Sequence, residues 1–350
     1  MTRSGAATAS TRPYFPELDG VRAIAAMMVI SFHFSQAWWP KKFMIFGQTG
    51  VDLFFVLSGF LITTILLQAR PGDWHEVRNF YIRRTLRIFP LYYWFLAGAA
   101  LFGGGVSAAY WFYGQNVAEA LGRHLVGPGH FWSLAVEEQF YLVWPFVILF
   151  WPRRWLAAGM WMGYAALLIA RVVALPTAYG TLVITLTRPD GLVAGGLLAY
   201  YFARGLPSRA IPWLGGLAAV AVLALGLQWK LMSGQRVEWG QATKYSLAAL
   251  LYVALLGLLL LTANTLVHRI LRSRPLREVG RVSYGLYVYH WMVIATVPRW
   301  MGSTPLLVKA LVCFALSYGI AYASFYLMEK RFIDLKDRFA HERKFREVMA

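Results

Sequence analysis

The segment TGVDLFFVLSGFLITTILLQA (Thr49–Ala69) runs for 21 residues with Asp52 as its only charge. A helix that crosses a bilayer needs roughly 20 mainly apolar residues, so this stretch reads as a membrane span. Nine more stretches of the same kind flank it: 20–39, 87–106, 130–151, 154–175, 181–203, 210–229, 245–266, 282–299 and 305–328. Within the ten, 87–106 ends in a run of glycines and 282–299 is short and rich in tyrosine. Composition agrees: 59% of the 350 residues are apolar and 14% are charged, against roughly 25% charged in a soluble domain. The mean hydropathy is +0.51. The expected fold is all-α, a polytopic membrane helix bundle of about ten transmembrane helices.

The charges are one-sided, 34 Lys and Arg against 16 Asp and Glu. They lie between apolar runs and form no groove-reading motif, which argues against a nucleic-acid partner. With ten spans, 23 of the basic residues fall on the side of the two termini and 8 on the other. The positive-inside rule then predicts both termini in the cytoplasm. The expected organisation is a flexible cytoplasmic N-terminus over 1–13, a membrane domain over 14–335 and a basic cytoplasmic tail over 336–350. The first nineteen residues lack the apolar stretch of a cleavable signal, so the first span is expected to act as an uncleaved one. The longest stretch between spans, 107–129, holds Trp111, Phe112 and Tyr113 and reads as interfacial. A single cysteine, Cys313, excludes an internal disulfide and a thiolate metal cluster. No HExxH or CxxC spacing appears, so no metal site is expected.

Ionisable side chains inside a bilayer cost a few kcal/mol or more and are functional candidates by default. The set is Arg22, His33, Asp52, Glu137, Glu138, Arg171, Arg188, Asp190 and His290. Arg22 and His33 are eleven residues apart, close to three turns, so they share a helix face about 16 Å apart along the axis. His33, Asp52 and Glu137–Glu138 fall in the outer half of their spans, where a carboxylate could orient the imidazole of a general base. Glu137 and Glu138 point about 100° apart on a helix, so at most one faces His33. Each residue also has a structural reading. A lone histidine in an apolar helix is more often a packing residue than a catalyst, and Arg22 and Asp52 near span ends could snorkel. Arg188 and Asp190 could neutralise other buried charges, and the tyrosines beside His290 could satisfy its ring. Ser58-Gly59 reads as close helix packing, and no GxSxG elbow surrounds the serine. Arg83, Arg84 and Arg87 either anchor a span to anionic headgroups or hold phosphates as guanidinium forks.

These residues sit in segments that resemble a known family. Leu18-Asp19-Gly20-Val21-Arg22-Ala23 leads to His33 with ten residues between Arg22 and His33. Gly50 to Ile62 follows, then Arg83-Arg84 to Arg87-Ile88-Phe89-Pro90, then Trp132-Ser133-Leu134-Ala135-Val136-Glu137-Glu138-Gln139-Phe140-Tyr141, then Ser283-Tyr284 to His290. In this order and spacing the chain is similar to the acyltransferase-3 family of integral-membrane O-acyltransferases, over roughly 14–335. The resemblance implies transfer of an acyl group, usually acetyl from acetyl-CoA, to a carbohydrate hydroxyl, in a bacterial cytoplasmic membrane. It implies His33 as catalytic base and the Arg22–His33 pair as the functional signature. The family often carries an extracytoplasmic hydrolase-like domain after the last span. This sequence continues from Lys330 only as a short charged tail, so direct transfer, or completion by a separate protein, is expected.

Residues and resemblance together give a mechanism as an expectation. Arg83, Arg84 and Arg87 hold the phosphates of acyl-CoA, and the pantetheine arm passes Arg22 towards His33. His33 deprotonates the acceptor hydroxyl, Glu137 or Asp52 orients it, and Arg188 stabilises the oxyanion. An acyl-His33 intermediate is an alternative order. Acyl-CoA is a donor substrate here, with no permanently bound cofactor. The partners are the glycan acceptor and the bilayer, and nothing in the residues specifies an oligomeric state. The competing function is a transporter or flippase, since intramembrane Arg, His and Asp also mark transport paths. The chain shows neither an internal repeat nor a matched pair of broken helices.

Overall fold

A computed structural model of the protein describes residues 15–38, 45–174, 186–231 and 238–335. Among the described residues ten long helices carry the fold, and each overlaps one expected span. They are α1 (Pro16–Trp38), α2 (Gly50–Leu67), α3 (Trp74–Phe102), α4 (Trp132–Phe150), α5 (Leu156–Ala174), α6 (Asp190–Ala203), α7 (Ile211–Leu231), α8 (Glu238–Leu261), α9 (Ser283–Trp300) and α10 (Leu306–Ser324). Eight are long and apolar enough to cross a membrane. The other two are α6, fourteen residues long, and α9, whose Tyr, His, Trp and Arg side chains lower its hydropathy. No strand occurs among the described residues. The chain is a polytopic helical membrane protein.

The differences from the sequence reading have local causes. α3 starts at Trp74, thirteen residues before the expected span, because Asp73 caps it by accepting from the His75 amide at 2.8 Å. The charges of 76–87 lower the hydropathy there without breaking the helix. It stops at Phe102 because Gly103, Gly104 and Gly105 follow, two of them at positive φ. The sixth span is not one continuous helix. Thr187-Arg188-Pro189 turns just before α6, and 181–185 lie outside the described residues. The expected terminal segments 1–13 and 336–350 also lie outside them.

Part of the stretch 107–129 packs against α3 and α4. Tyr110 and Tyr113 are buried. The Tyr113 ring stacks on Tyr92 of α3 at 4.2 Å, and the Tyr92 hydroxyl donates to the Tyr110 carbonyl at 2.7 Å. Phe112 alone of the aromatic trio is fully turned out. Asn116 and Gln139 exchange amide hydrogen bonds of 2.9 and 3.0 Å, which lock this stretch onto α4.

Helices in lipid gain little from hydrophobic burial against each other, so close packing and polar contacts decide their association. α2 and α6 cross with their backbones in contact. A Cβ on Gly59 would sit 1.9 Å from the Leu192 carbonyl oxygen, and one on Gly195 would sit 2.1 Å from that of Val56. Ser58-Gly59 therefore serves helix packing through its glycine.

Beside this crossing lies a fully buried polar network. Arg171 of α5 meets Asp190 of α6 at 3.0 Å and donates to the Thr187 carbonyl at 2.6 Å. Ser246 of α8 donates to Asp190 at 2.8 Å. Arg188 meets Asp52 of α2 at 2.8 Å and lies 3.8 Å over the Tyr245 ring. Two cations and two carboxylates cancel, and they cover the backbone turn at 187–189. Irregular backbone at membrane depth is tolerated where protein buries it in this way.

Candidate active site

α1, α3, α4 and α9 enclose the site from different sides. Three imidazoles meet there: His33 from α1, His130 from the turn before α4, and His290 from α9. The His33 and His290 ring centres are 4.9 Å apart, those of His130 and His290 are 4.9 Å apart, and those of His33 and His130 are 6.3 Å apart. His290 Nε2 lies 2.9 Å from His33 Nδ1. His290 Nδ1 lies 2.7 Å from the Tyr287 carbonyl and 3.2 Å from that of Leu286.

This chain of contacts fixes the tautomers. Carbonyl oxygens only accept, so His290 Nδ1 carries the hydrogen, and neutral His290 presents a lone pair at Nε2. His33 Nδ1 must then donate, which leaves the lone pair of His33 on Nε2. That nitrogen is the basic atom of the site. The assignment follows from the hydrogen-bond network, as tautomers generally must. The Trp38 indole donates to the Ile294 carbonyl at 2.9 Å and holds α1 against α9 at this level.

Below the imidazoles, towards the arginine-rich end, is a cavity of about 250 Å³. Its walls include Arg22, Arg83, Arg84 and Arg87 with Glu76, Glu137 and Glu138, and its far end is closed by Ser133 and Tyr287. The Tyr287 hydroxyl donates to the His130 carbonyl at 2.6 Å, and Ser133 supplies the second hydrogen bond to it. The cavity thus reaches from four guanidinium groups to the floor of the imidazole cluster.

The residues expected from sequence fall into two groups. Arg22, Arg83, Arg84, Arg87 and Glu137 share the cavity. Arg22 pairs with Asp19 at 2.9 Å, Arg83 donates to the Asn79 carbonyl at 2.9 Å, and Arg84 lies 4.9 Å over the Tyr141 ring. Glu137 accepts from the Tyr141 hydroxyl, whose other partner is Ser58. Asp52 and Arg188 instead face each other in the buried network between α2, α6 and α8. The group on His33 Nδ1 is His290, where the sequence reading looked for Glu137 or Asp52. Among the described residues no cluster of three His, Cys, Asp or Glu could hold a metal.

The sequence does not single out His130; it does single out His290, as an ionisable group within a span whose neighbouring tyrosines could satisfy its ring. Tyr287 does serve His290, but through its backbone carbonyl. The signal for His290 was its place at the end of the Ser283–His290 segment. For His130 it was adjacency to the Trp132–Tyr141 segment.

The profile of a family described as "Acyltransferase domain" matches residues 15–326. The chain is similar to "Peptidoglycan O-acetyltransferase OatA" of Listeria monocytogenes, 29% identical across 92% of this chain and 56% of that protein. It is 27% identical to "Putative peptidoglycan O-acetyltransferase YrhL" of Bacillus subtilis, across 80% of this chain and 49% of that protein. "O-acetyltransferase OatA" of Staphylococcus aureus is also 27% identical, across 81% of this chain and 51% of its own length. The chain therefore spans about half the length of these curated relatives. No solved structure matches it.

Proposed function

The chain belongs to the acyltransferase domain family, and from that premise we propose that it is a membrane O-acyltransferase. It moves an acyl group, acetyl in the first instance, from acyl-CoA to a hydroxyl of a cell-envelope glycan. The observation that carries this reading is an arginine-lined cavity whose Ser133–Tyr287 end adjoins, through the His130 carbonyl, the cluster that holds the His33–His290 pair. The names of the relatives point to peptidoglycan as the kind of acceptor.

The donor enters from the cytoplasmic end. Arg83, Arg84, Arg87 and Arg22 hold its phosphates, since guanidinium forks match phosphate oxygens. The pantetheine arm runs along the cavity to the Ser133–Tyr287 floor and brings the thioester to His33. His33 Nε2 takes the proton of the acceptor hydroxyl as its oxygen attacks the thioester carbon. The tetrahedral intermediate collapses with cleavage of the C–S bond, and the proton on His33 leaves with the CoA thiol. Electrons and protons balance, and His33 returns neutral. His290 is a positioning residue: it holds the His33 ring and shares the charge that the proton brings. Asp52, Arg188 and Arg171 act at a distance, as the frame that seats α2 and α6. This differs from the roles first expected for Asp52 and Arg188, because each engages the other.

The test is release of free CoA from acetyl-CoA by purified protein in nanodiscs, with glycan acceptor, for wild type and His33→Ala. General-base catalysis is worth about 10²–10⁴-fold, and a loss of that size in a folded variant is expected. Full activity in His33→Ala would sink the assignment. A wild type that ignores CoA would favour a transport role instead.

A further inference from the structure

On the far side of the imidazoles from the arginine cavity lies a second cavity of about 190 Å³. Phe95 and Ala99 of α3, Val126, Pro128, Trp291 and Met292 line it, and His130 is the one titratable side chain among its walls. Trp291 also packs edge-on against His33 at 5.2 Å. The two cavities and the imidazole cluster thus lie in one file. A sugar ring in the second cavity would meet only the His130 imidazole, the Trp291 indole and glycine backbone as polar partners. The lining suits a hydrocarbon.

His130 adds a polar end to this apolar space. It is 7% exposed, and neither ring nitrogen makes a hydrogen bond of acceptable geometry among the described residues. The carbonyls nearest its ring, Val288 and Tyr287, belong to α9. Helix carbonyls of that kind already accept within the helix, and Tyr287 takes the His290 N–H as well. Meanwhile the His130 backbone is clamped by Tyr287, so its ring is held at the mouth of the cavity. A buried imidazole whose N–H has only poorly aligned carbonyls beside it can turn that N–H to an oxygen that arrives with a ligand.

We propose that this cavity is the acyl-chain pocket of the enzyme, that it takes acyl groups longer than acetyl, and that His130 donates to the thioester carbonyl oxygen at its entrance. The inference rests on the reading of acyl-CoA as donor. A thioester that reaches His33 from the arginine end carries its alkyl chain pointing away from sulfur, into this space. The volume is that of about six waters, roughly matched by a chain of four to six carbons. His130 and His33 then grip the reacting carbonyl from two sides, one on its oxygen and one through the attacking hydroxyl.

The experiment is calorimetric binding of S-(2-oxoalkyl)-CoA thioethers, C3 to C7, and of matching S-alkyl-CoA compounds, to protein in nanodiscs. These carry a C–S bond that the enzyme cannot cleave, so binding is read without turnover. Wild type should bind more tightly by about fourfold per added methylene until the pocket is full. Ala99→Phe, which fills the pocket from its α3 wall, should flatten that series. His130→Ala should lower the preference for the oxo compounds over the alkyl compounds by tenfold or more. Chain-independent affinity in wild type, or an unchanged series in Ala99→Phe, overturns the pocket. An unchanged oxo preference in His130→Ala overturns the role of His130. If no CoA compound binds, the donor reading fails and the pocket falls with it. That result is distinct from tight binding of CoA without a chain-length trend.

Discussion

Replacing His290 tests the tautomer argument most directly. In the wild type His290 Nε2 receives the His33 Nδ1–H at 2.9 Å, while its own Nδ1–H is held by the Tyr287 carbonyl. His290→Phe keeps the size and removes the acceptor. His33 can then move its proton to Nε2, where it blocks the base, or rotate towards the cavity. A hydrogen bond that becomes charge-assisted in the transition state is worth about 1.5–3 kcal/mol, or roughly 10–150-fold in rate. We expect kcat to fall by that factor with the KM for acyl-CoA little changed, because the arginine end is untouched. The loss should stay below that of His33→Ala. His290→Gln is the informative companion, since its amide oxygen can accept from His33 and its NH₂ can donate to Tyr287. It should recover a good part of kcat. The assay is CoA release at saturating acceptor, with folding checked by size exclusion and thermal melting. Wild-type kcat in a well-folded His290→Phe, or no difference between Phe and Gln, would refute the reasoning.

Other perturbations separate the remaining roles. Arg83→Ala with Arg84→Ala should raise the KM for acyl-CoA at least tenfold and leave kcat nearly intact, measured by initial rates over donor concentration; unchanged KM would return both residues to membrane anchoring. Arg188→Ala strands the buried Asp52 and should cost about 3–5 kcal/mol of stability, whereas Asp52→Asn with Arg188→Met should recover most of it in thermal melts. If that double variant folds well but is inactive, Arg188 touches the reaction after all. Gly195→Ala places a Cβ 2.1 Å from the Val56 carbonyl and should reduce folded yield, by overpacking worth about 1–3 kcal/mol. Gly98→Ala, with nothing near its Cβ, should be neutral or stabilising in the same melts.

Ten helices were legible because hydropathy integrates over about 20 residues and tolerates single charges such as Asp52. What it could not see were ends set by local chemistry. The Asp73 cap extends α3 through a charged stretch, and Pro189 turns the chain before α6. In the site, helix arithmetic puts Arg22 and His33 on one face of α1; Arg22 lines the arginine cavity and His33 stands in the imidazole cluster. The same arithmetic points to Asp52 or Glu137 as the partner of His33, since both lie at a plausible depth, and does not bring in His290. Depth is one coordinate, and rotation about each helix axis decides contact. Asp52 turns towards α6 and Arg188, Glu137 turns towards Tyr141, and α9 alone presents a nitrogen to His33. His130 was hidden for a different reason. It lies at the start of a span, and the rings of His33, Tyr287 and His290, from helices distant in sequence, are what surround it.

The choice of imidazole over carboxylate as the partner of His33 has a physical logic. A lone ionised carboxylate in a low-dielectric interior is costly unless a cation accompanies it. The buried carboxylates of the network are accompanied in that way, Asp52 by Arg188 and Asp190 by Arg171. Glu137 or Asp52 against His33 would have put net negative charge beside the thioester at rest, where it repels the incoming oxyanion. Two neutral imidazoles and a backbone carbonyl orient the base with no net charge. On the proposed mechanism, positive charge appears on His33 only when it takes the proton, at the moment the oxyanion forms beside it. Interactions made only in the transition state raise kcat, while those present throughout do not. The cost is weaker orientation than an anionic partner gives, since an imidazole acceptor stabilises imidazolium less than a carboxylate does. That is why the expected penalty for His290→Phe lies near 10–150-fold, below the roughly 10⁴-fold known for disabling the aspartate of a serine-protease triad.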